Sequence, residues 1–541
     1  MLTPRYRFHT STWWLGVLVT FFCAVGIDSS AQQWRTEANQ RIEQHRKANL
    51  NVEVVDTLGN KIEGAQVQVL MQAHDFGFGT AVPAARIVEQ SANGDMFREK
   101  LLENFNQVVF ENDMKWPAWD GLWGNNFNWQ QTQQALDWLD QNNLPARGHY
   151  LSWATWSGND AWGSSQNTTT LPTRLENHIT DVATTVGDRV FEWDVINHPV
   201  GWLNDTYENR IASGLDFYAE IVNHARSVAP EGMPMWINED DVIAGNSRAA
   251  DYERIIDDLI ANNASPDGIG FQGHFIEEWG RVSATPAAVL FDRIDRFADK
   301  GLRLRVTEFD VDVDGNEAYQ GTLVNDYLTV MFSHPTVEAI TLWGFWGGSH
   351  WRGENGALYR NDWSEKPSLE AYQSLVLNQW WTTENGVSND QGSYGLRGFK
   401  GRYNVVVTVD DEVYELNDVL LTDNLSVQVQ VAAAGLPGDF NGDGKVGLSD
   451  FTIWRNNLGS TFDLGGNGDE SGGSAGVVDI ADYDLWMHNF GVSSPSNLTD
   501  VGAGSIPEPC TLSVATLFCG VVAATAARHR RRVVFIPRSQ N

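Results

Sequence analysis

The sequence predicts an α/β protein built on a (β/α)8 TIM barrel, because strand-like and helix-like stretches alternate along its middle region. Eight apolar stretches of strand length occur near 76–81, 107–111, 146–152, 190–197, 235–240, 268–273, 303–309 and 339–345. Amphipathic stretches of helix length lie between several of them, at 130–143, 214–228, 249–263 and 285–300. Eight such repeats over about 300 residues are typical of this barrel. A doubly wound sheet is the alternative, but the sequence lacks the glycine-rich phosphate loop that such a sheet usually carries.

The ends of these stretches supply a second observation, because seven of them carry polar or aromatic side chains. These residues are Glu111 and Asn112, His149, Asn197 and His198, Asn238 to Asp240, Gln272 and His274, Glu308, and Trp343. In a barrel, the carboxyl ends of all strands meet on one face, which is where active sites lie. The sequence therefore predicts a functional site on this face.

The composition is strongly acidic and narrows the classes of partner. With 37 Lys and Arg against 70 Asp and Glu, the 541-residue chain has a formal net charge of −33. This charge argues against nucleic acid and anionic membrane surfaces as partners.

The three cysteines, Cys23, Cys510 and Cys519, lie in terminal apolar segments. If both terminal segments are removed, the remaining protein contains no cysteine. That excludes a disulfide framework, a thiolate metal site and a cysteine nucleophile.

The two ends of the chain carry export signals. Arg5 and Arg7 precede an apolar run over 13–27 and small residues to Ala31, which predicts a signal peptide over 1–31; an uncleaved anchor is the alternative. At the other end, Ile-Pro-Glu-Pro at 506–509 precedes an uncharged segment over 510–527 and a basic cluster at 528–532. That segment is long enough to span a bilayer, with the basic end in the cytoplasm.

The region over 494–541 resembles a linker followed by a PEP-CTERM sorting signal. This resemblance implies processing by an exosortase-type enzyme, and a simple tail anchor is the alternative. Either interpretation places the body of the chain outside the inner membrane, secreted or at the cell surface.

Alternating apolar residues flank the barrel region on both sides. Val52 and Val54 belong to a predicted N-terminal β extension over 32–75, and Val405 and Val407 belong to an accessory β region over 379–435. We expect the two regions to form one small β unit beside a barrel over 76–378.

Several motifs in the barrel region resemble glycoside hydrolase family 10, the retaining endo-β-1,4-xylanases. They are Val-Phe-Glu-Asn-Asp-Met-Lys-Trp at 109–116, Arg-Gly-His-Tyr-Leu-Ser-Trp at 147–153, Asp-Gly-Ile-Gly-Phe-Gln-Gly-His at 267–274, Val-Thr-Glu-Phe-Asp at 306–310, and Lys-Pro at 366–367. The β stretch before the barrel is most like the plant-type branch of that family.

The resemblance implies a role for each matching residue. Glu308 would be the nucleophile that attacks the anomeric carbon, and Asn197 would bind the sugar 2-hydroxyl. The tryptophans Trp343 and Trp351 would form walls of the cleft. The other implied substrate-binding residues are Glu111, Asn112, Lys115, His149, Trp153, Gln272 and His274. No cofactor is implied for catalysis.

The position of the general acid/base departs from the family motif, which reads Trp-Asp-Val-x-Asn-Glu. Here residues 193–198 read Trp-Asp-Val-Ile-Asn-His, so that His198 replaces the carboxylate. Histidine can donate a proton as imidazolium and activate water as the neutral ring, which fits both half-reactions in principle. Asp240 and Asp241 are extra carboxylates at the next strand end. They either polarise His198, replace the missing acid, or are solvated loop residues.

A calcium-loop pattern occupies the predicted module over 436–493. Asp439, Asn441, Asp443, Lys445 and Asp450 are spaced as ligands in an EF-hand loop, with Gly444 at the turn. The following helix-like segment recurs 32 residues later, from Trp454 to Trp486. The duplication resembles a type I dockerin, which implies bound calcium and leaves a cohesin-type scaffold as a possible partner.

The sequence thus predicts a secreted retaining endo-1,4-β-xylanase that hydrolyses internal bonds of xylan or a related β-1,4-linked plant polysaccharide. Two alternatives stay open. One is a xylan-binding relative that keeps the cleft without hydrolysis, and the other is a scaffold-attached structural protein.

Overall fold

The structure is a computed structural model that describes residues 29–57, 59–124, 127–154, 168–201, 206–431, 435–464, 468–469 and 475–493. The described residues form two compact units. One contains the residues up to His45 together with Gly77–Leu375, and the other contains Arg46–Phe76 together with the residues from Val376 onward. Most of the predicted signal peptide and the whole predicted sorting signal lie outside the described residues.

The strands of the described residues are numbered in chain order. They are β1 (Lys47–Asp56), β2 (Gln66–His74), β3 (Gly77–Val82), β4 (Gln107–Phe110), β5 (Ala146–His149), β6 (Trp193–Asn197), β7 (Met235–Glu239), β8 (Gly268–Phe271), β9 (His274–Ile276), β10 (Arg303–Asp312), β11 (Val337–Leu342), β12 (Thr383–Val387), β13 (Ser393–Phe399), β14 (Gly401–Val409), β15 (Glu412–Leu421) and β16 (Leu425–Val431).

The α-helices follow the same convention. They are α1 (Ser29–His45), α2 (Ala84–Val88), α3 (Ala92–Asn104), α4 (Trp116–Trp119), α5 (Trp129–Gln141), α6 (Leu171–Val186), α7 (Tyr207–Arg210), α8 (Asp216–Val228), α9 (Ala249–Ala261), α10 (Ala287–Asp295), α11 (Glu317–Ser333), α12 (Pro367–Gln373), α13 (Leu448–Asn457) and α14 (Ile480–Asn489).

The first unit is a closed parallel barrel. Its sheet has the order β11-β3-β4-β5-β6-β7-β8-β10, and β10 pairs with β11 to close the ring. The short β9 adds to the carboxyl end of β10. Each of the eight predicted strand stretches overlaps one strand of this ring, so the predicted TIM barrel is confirmed.

Glycines in two barrel strands make room for buried tryptophans of neighbouring strands. Gly148 in β5 faces Trp193 in β6, and Gly268 in β8 faces Trp236 in β7. A Cβ atom on either glycine would lie 2.2 Å from an indole carbon. The strands can therefore pair here only because the glycines carry no side chain.

The N-terminal boundary of the predicted β extension is wrong. Residues from Ser29 to His45 form helix α1, which belongs to the barrel unit and packs on α10 and α11. Ala38 and Ile42 lie one helical turn apart and are buried, while the guanidinium of Arg41 lies 4.0 Å from the ring centroid of Phe291. The segment is rich in helix-forming Gln, Glu, Ala and Arg, and its spacing of buried residues is helical.

The second unit contains two antiparallel-rich sheets built from both flanks of the barrel. One sheet has the order β13-β1-β16 and the other the order β12-β2-β14-β15. Val52, Val54, Val67, Val405 and Val407 are buried, and most of the residues that alternate with them are partly or fully exposed, as expected for strands with one face in a core. The predicted accessory β region is therefore present, with strands contributed by both flanks.

The same unit contains the paired helices of the predicted calcium module. The indole of Trp454 in α13 donates to the Asp479 carbonyl, and the indole of Trp486 in α14 donates to the Gly447 carbonyl. These reciprocal bonds link the two repeats around a small core that includes Val446. Across the part of the chain that the structure describes, no helix has both the length and the apolar character needed to cross a bilayer.

Candidate active site

The carboxyl ends of the barrel strands surround one open pocket. Its lining residues are Glu111, Lys115, His149, Trp153, Asn197, His198, Asp240, Gln272, His274, Trp279, Glu308, Trp343 and Trp351. Every residue predicted to be catalytic or substrate-binding lines this pocket except Asn112, whose amide oxygen instead accepts a 3.0 Å hydrogen bond from Lys115. The convergence follows from the parallel barrel, which places all strand ends on one face.

Glu308 lies on β10 at the floor of the pocket and is held on both oxygens. Asn238 Nδ2 donates to Oε1 at 2.7 Å, and His274 Nε2 lies 3.2 Å from Oε2. Burial alone would raise the pKa of this carboxyl, but the hydrogen bond with His274 and the nearby imidazole rings hold the pKa below its ordinary value. Glu308 is therefore an oriented carboxylate, as a nucleophile must be.

His274 links Glu308 to a second buried carboxylate. Its Nδ1 lies 3.0 Å from Asp310 Oδ1, and Asp310 Oδ2 accepts from the indole of Trp351 at 2.7 Å. Burial lowers the pKa of His274, but Asp310 and Glu308 outweigh it and raise the pKa to about 10. The ring is thus a cation at neutral pH.

The opposite wall carries a group of buried polar residues. His149 Nδ1 lies 2.8 Å from Asp194 Oδ2, and Asp194 is also paired with the guanidinium of Arg147. Burial raises the pKa of Glu111 and lowers that of Lys115. These groups are desolvated hydrogen-bonding partners of the kind that bind sugar hydroxyls in a cleft.

His198 follows β6 directly and has a left-handed backbone, with φ of 54°. Its ring stacks on Trp153 with the centroids 4.6 Å apart. Nδ1 lies 3.2 Å from Glu239 Oε1, and Nε2 lies 3.1 Å from the amide nitrogen of Gln272. Only 4% of the residue is exposed, and the ring has neighbours on both of its nitrogens.

The two extra carboxylates have separate partners. Both oxygens of Asp240 accept from the Arg281 guanidinium at 2.7 Å. Burial would raise the pKa of Asp240, but Arg281 holds it below the ordinary value, which makes Asp240 a poor proton donor. Asp241 hydrogen-bonds Ser247 and is not among the described residues that line the pocket.

The carboxylate beside His198 is therefore Glu239, which the sequence analysis did not select. Glu239 is fully buried and also pairs with Arg248 at 2.9 Å. In the sequence, the feature that could have identified Glu239 is its position in the polar run at 238–241, at the end of a predicted strand. Trp279, with 45% of its surface exposed, also lines the pocket, and no motif pointed to it.

The comparisons with known proteins agree with this geometry. A family model described as Glycosyl hydrolase family 10 matches residues 67–375, which is more than half of the chain. The chain belongs to glycosyl hydrolase family 10.

Two curated relatives are similar to this chain in sequence. An anti-sigma-I factor, RsgI6, from Acetivibrio thermocellus is 29% identical over 383 residues, covering 71% of this chain and 48% of that protein. Endo-1,4-beta-xylanase 3 of Arabidopsis thaliana is 28% identical over 344 residues, covering 63% and 43%. The chain thus spans about half the length of these relatives or less.

Among solved structures, xylanase 10B from Thermotoga petrophila in complex with xylobiose is similar to this family 10 chain. The sequence identity is 21% and the TM-score is 0.49, with 56% of this chain and 95% of that chain covered.

Proposed function

We propose that the barrel is a retaining endo-acting glycoside hydrolase of β-1,4-linked xylan, with Glu308 as nucleophile and His198 at the acid/base position. The observation that carries the proposal is the state of Glu308. It is an ionised carboxylate, buried between Asn238 and the His274 cation, on the floor of a cleft that contains exposed tryptophan. Retaining hydrolysis begins with the attack of such a carboxylate on the anomeric carbon.

The surroundings of Glu308 fit each requirement of that attack. Asn238 and His274 fix the two oxygens, so little reorganisation is needed when the bond to the sugar forms. Trp351, with 40% of its surface exposed, offers an apolar face on which a sugar ring can stack. Asn197 lies close enough to join the same hydrogen-bond network through Asn238.

His198 is oriented by a buried carboxylate. Glu239 accepts the hydrogen bond of Nδ1, in the way a carboxylate orients the histidine of a hydrolytic triad. The other nitrogen, Nε2, is then an acceptor, and the amide nitrogen of Gln272 lies 3.1 Å from it.

A second candidate function is xylan binding without turnover. The contacts of His198 favour it, because the ring is held by neighbours and replaces the acid of the family motif. Four Arabidopsis thaliana relatives are named endo-1,4-beta-xylanases, which supports the first candidate, whereas another relative is named an anti-sigma-I factor and not an enzyme.

The nucleophile is tested with a 2-fluoro xylobioside that carries a dinitrophenyl leaving group. Mass spectrometry of a digest should find the fluoroglycosyl label on Glu308, and Glu308→Gln should remove it. Glu99→Gln, on the exposed surface of α3, is the matched control and should label like the wild type. A label on another residue would refute the assignment. No label together with tight binding of xylohexaose, weakened by Trp351→Ala, would establish the binding function.

For the C-terminal module we propose calcium binding by the loop of Asp439, Asn441, Asp443, Lys445 and Asp450. The residue types and order suit a calcium loop, and the loop is curled by bonds from the amides of Asp443 and Gly444 to Asp439. Among the described residues, however, no three His, Cys, Asp or Glu side chains are grouped closely enough to hold a metal ion. The assignment therefore stays a prediction from the motif.

We also propose that the chain is exported and processed by an exosortase-type enzyme, and that the module could bind a cohesin-type scaffold. Export is supported by the basic and apolar character of both ends of the sequence. Fractionation of cells that produce the tagged chain tests the location, and retention of the full-length chain in the cytoplasm would refute export.

A further inference from the structure

A continuous chain of hydrogen bonds begins at the nucleophile and leads away from it through amide side chains. Asn238 Nδ2 lies 2.7 Å from Glu308 Oε1 and 3.1 Å from Asn197 Oδ1. Gln272 Nε2 lies 3.1 Å from the same oxygen of Asn197. All three amides are at most 2% exposed. Asn238, Asn197 and Gln272 are called the amide relay below.

The amide relay ends on the ring of His198. Gln272 Nε2 lies 3.1 Å from His198 Nε2, and on the other side of the ring Nδ1 lies 3.2 Å from Glu239 Oε1. The relay therefore connects the two positions that a retaining glycosidase uses for its chemistry.

The Glu308 end fixes the direction of every bond in the relay. An ionised carboxylate only accepts, so Asn238 must turn its NH2 group toward Glu308; the bond from Thr307 Oγ1 to Asn238 Oδ1, at 2.6 Å, agrees with this. The second hydrogen of that NH2 then points at Asn197, which must present its oxygen. Gln272 must in turn present its NH2 to Asn197, and its remaining N–H faces His198 Nε2.

The hydrogen bonds of Glu239 independently determine which nitrogen of His198 carries a proton. The oxygens of Glu239 already receive hydrogen bonds from the Arg248 guanidinium at 2.9 Å and from the backbone amides of Asp240 at 2.8 Å and Val200 at 2.7 Å. A carboxylate in this setting accepts, so His198 Nδ1 carries a proton and donates it. From both ends, Nδ1 is the donor and Nε2 is an acceptor.

Protonating Nε2 would break this pattern along its whole length. An Nε2–H group would face the N–H of Gln272, and turning Gln272 would set its oxygen against the oxygen of Asn197. If the side-chain amides of Asn197 and then Asn238 were also turned to restore the bonds between them, an amide oxygen would face the Glu308 carboxylate. Each alternative leaves buried polar groups without a matching partner, which is costly.

We infer that His198 is held by the amide relay and Glu239 as the Nδ1–H tautomer, so that it gives no proton to the leaving group. The inference rests on the proposed function and deepens it by naming the substrates the cleft handles well. Donors whose leaving group departs as a stable anion react at full rate. Xylan, whose leaving alkoxide needs a proton, is cleaved slowly.

The bonds balance as follows for an aryl donor. A Glu308 oxygen forms a bond to the anomeric carbon while the bond from that carbon to the aryl oxygen breaks, and the phenolate leaves with the electron pair. Water then attacks the anomeric carbon, Glu308 leaves as a carboxylate, and the proton of the water passes to solvent.

A series of aryl β-xylobiosides with phenols of increasing basicity tests the inference. For the wild type, kcat/KM should fall steeply from the dinitrophenyl to the phenyl donor. His198→Glu should raise the ratio of kcat/KM on the phenyl donor to kcat/KM on the dinitrophenyl donor by about 10²–10⁴-fold relative to the wild type, the usual value of general acid assistance. A flat wild-type series, or xylan cleavage as fast in the wild type as in a folded His198→Glu variant, would overturn the inference.

The tautomer is measured separately by ¹⁵N NMR of histidine-labelled protein at neutral pH, with the His198 signals assigned by their loss in His198→Asn. The wild type should show a protonated Nδ1 and an unprotonated Nε2.

Gln272→Glu replaces the N–H that faces Nε2 with an acceptor, so this variant should protonate Nε2. The control is Gln373→Glu, which changes an amide elsewhere in the barrel that also donates to an asparagine oxygen and should leave the ring unchanged. An imidazolium or an Nε2–H tautomer in the wild type would overturn the inference, as would an unchanged ring in Gln272→Glu. This readout needs no turnover, so it stands even if no donor labels Glu308 and the proposed hydrolysis fails.

Discussion

His274 and His198 lie in the same pocket, yet their neighbours give them opposite chemistry. His274 lies between two carboxylates, Glu308 and Asp310, and both ring nitrogens donate. His198 has a carboxylate on one side and an amide N–H on the other, so one nitrogen donates and one accepts. The residue type alone does not decide which of these roles a ring adopts, because imidazole can fill all of them.

The charge of His274 makes stability depend on pH in a direction that can be stated. Its pKa rises from 6.5 to about 10 on folding, so the ring's contribution to stability is complete below pH 6.5 and is lost as the pH rises through about 10. We expect His274→Gln to lower the free energy of unfolding by about 3–5 kcal/mol near pH 6, since one partner of a buried ion pair is removed. The cost should shrink toward pH 10.

Urea unfolding of wild type and variant at several pH values between 6 and 10 measures this difference. Gly148→Ala is the control, because it changes packing without changing a titratable group, and its cost should stay constant over the same range. A cost of His274→Gln that does not change with pH would contradict the assignment of a cationic ring.

Among the secondary-structure elements, the barrel strands depend on complementary glycine and tryptophan residues. Gly148 on β5 and Gly268 on β8 leave the space that Trp193 and Trp236 fill on their neighbours. Both tryptophans are completely buried, so neither ring can move outward without exposing a large apolar surface.

Gly148→Ala tests this complementarity. The added methyl group would lie 2.2 Å from a Trp193 ring carbon, and we expect a loss of about 1–3 kcal/mol in the free energy of unfolding, as for other overpacked sites. In the Trp193→Phe background the smaller ring leaves room, so the same change should cost less. Denaturant unfolding of the four proteins gives the coupling energy, and strictly additive costs would refute the contact.

At the scale of the whole molecule, the pocket and the proposed calcium loop belong to different units. The pocket lies in the barrel unit, and the loop from Asp439 to Asp450 lies in the other unit. The described pocket residues do not include any residue of the loop.

Chelation of the full-length protein should act on the module alone. On the proposed calcium binding, removing calcium should make residues 437–491 sensitive to protease, because a bound ion would stabilise the loop and the helices. Turnover of the dinitrophenyl donor should change by less than about two-fold, because a bound ion stabilises the folded form of the part of the protein that binds it. Digestion followed by mass spectrometry measures the first effect.

Asp443→Ala should reproduce the protease sensitivity in the presence of calcium. Magnesium instead of calcium should protect less well, because Mg²⁺ demands a tighter octahedral site. Equal loss of activity and of protease resistance on chelation would contradict the separation of the two units' functions.

The sequence by itself determined the order of the barrel strands and almost all residues around the pocket. Strand-end motifs such as Asn197-His198 and Gln272-Gly273-His274 are local, and a parallel barrel brings every strand end to the same face. The alternation of Val52, Val54, Val405 and Val407 likewise sufficed to predict the β unit, since strand periodicity is a local property.

Only the tertiary structure decided which side chains act on one another. Glu239, rather than Asp240 or Asp241, meets His198, and Arg281 holds Asp240. The membership of helix α1 in the barrel unit, through its packing against α10 and α11, also joins residues far apart in the chain. These outcomes depend on distances between residues far apart in the chain, and local spacing does not encode such distances. Hydrogen-bond direction, and with it the chemistry of His198, is set by partners on other strands.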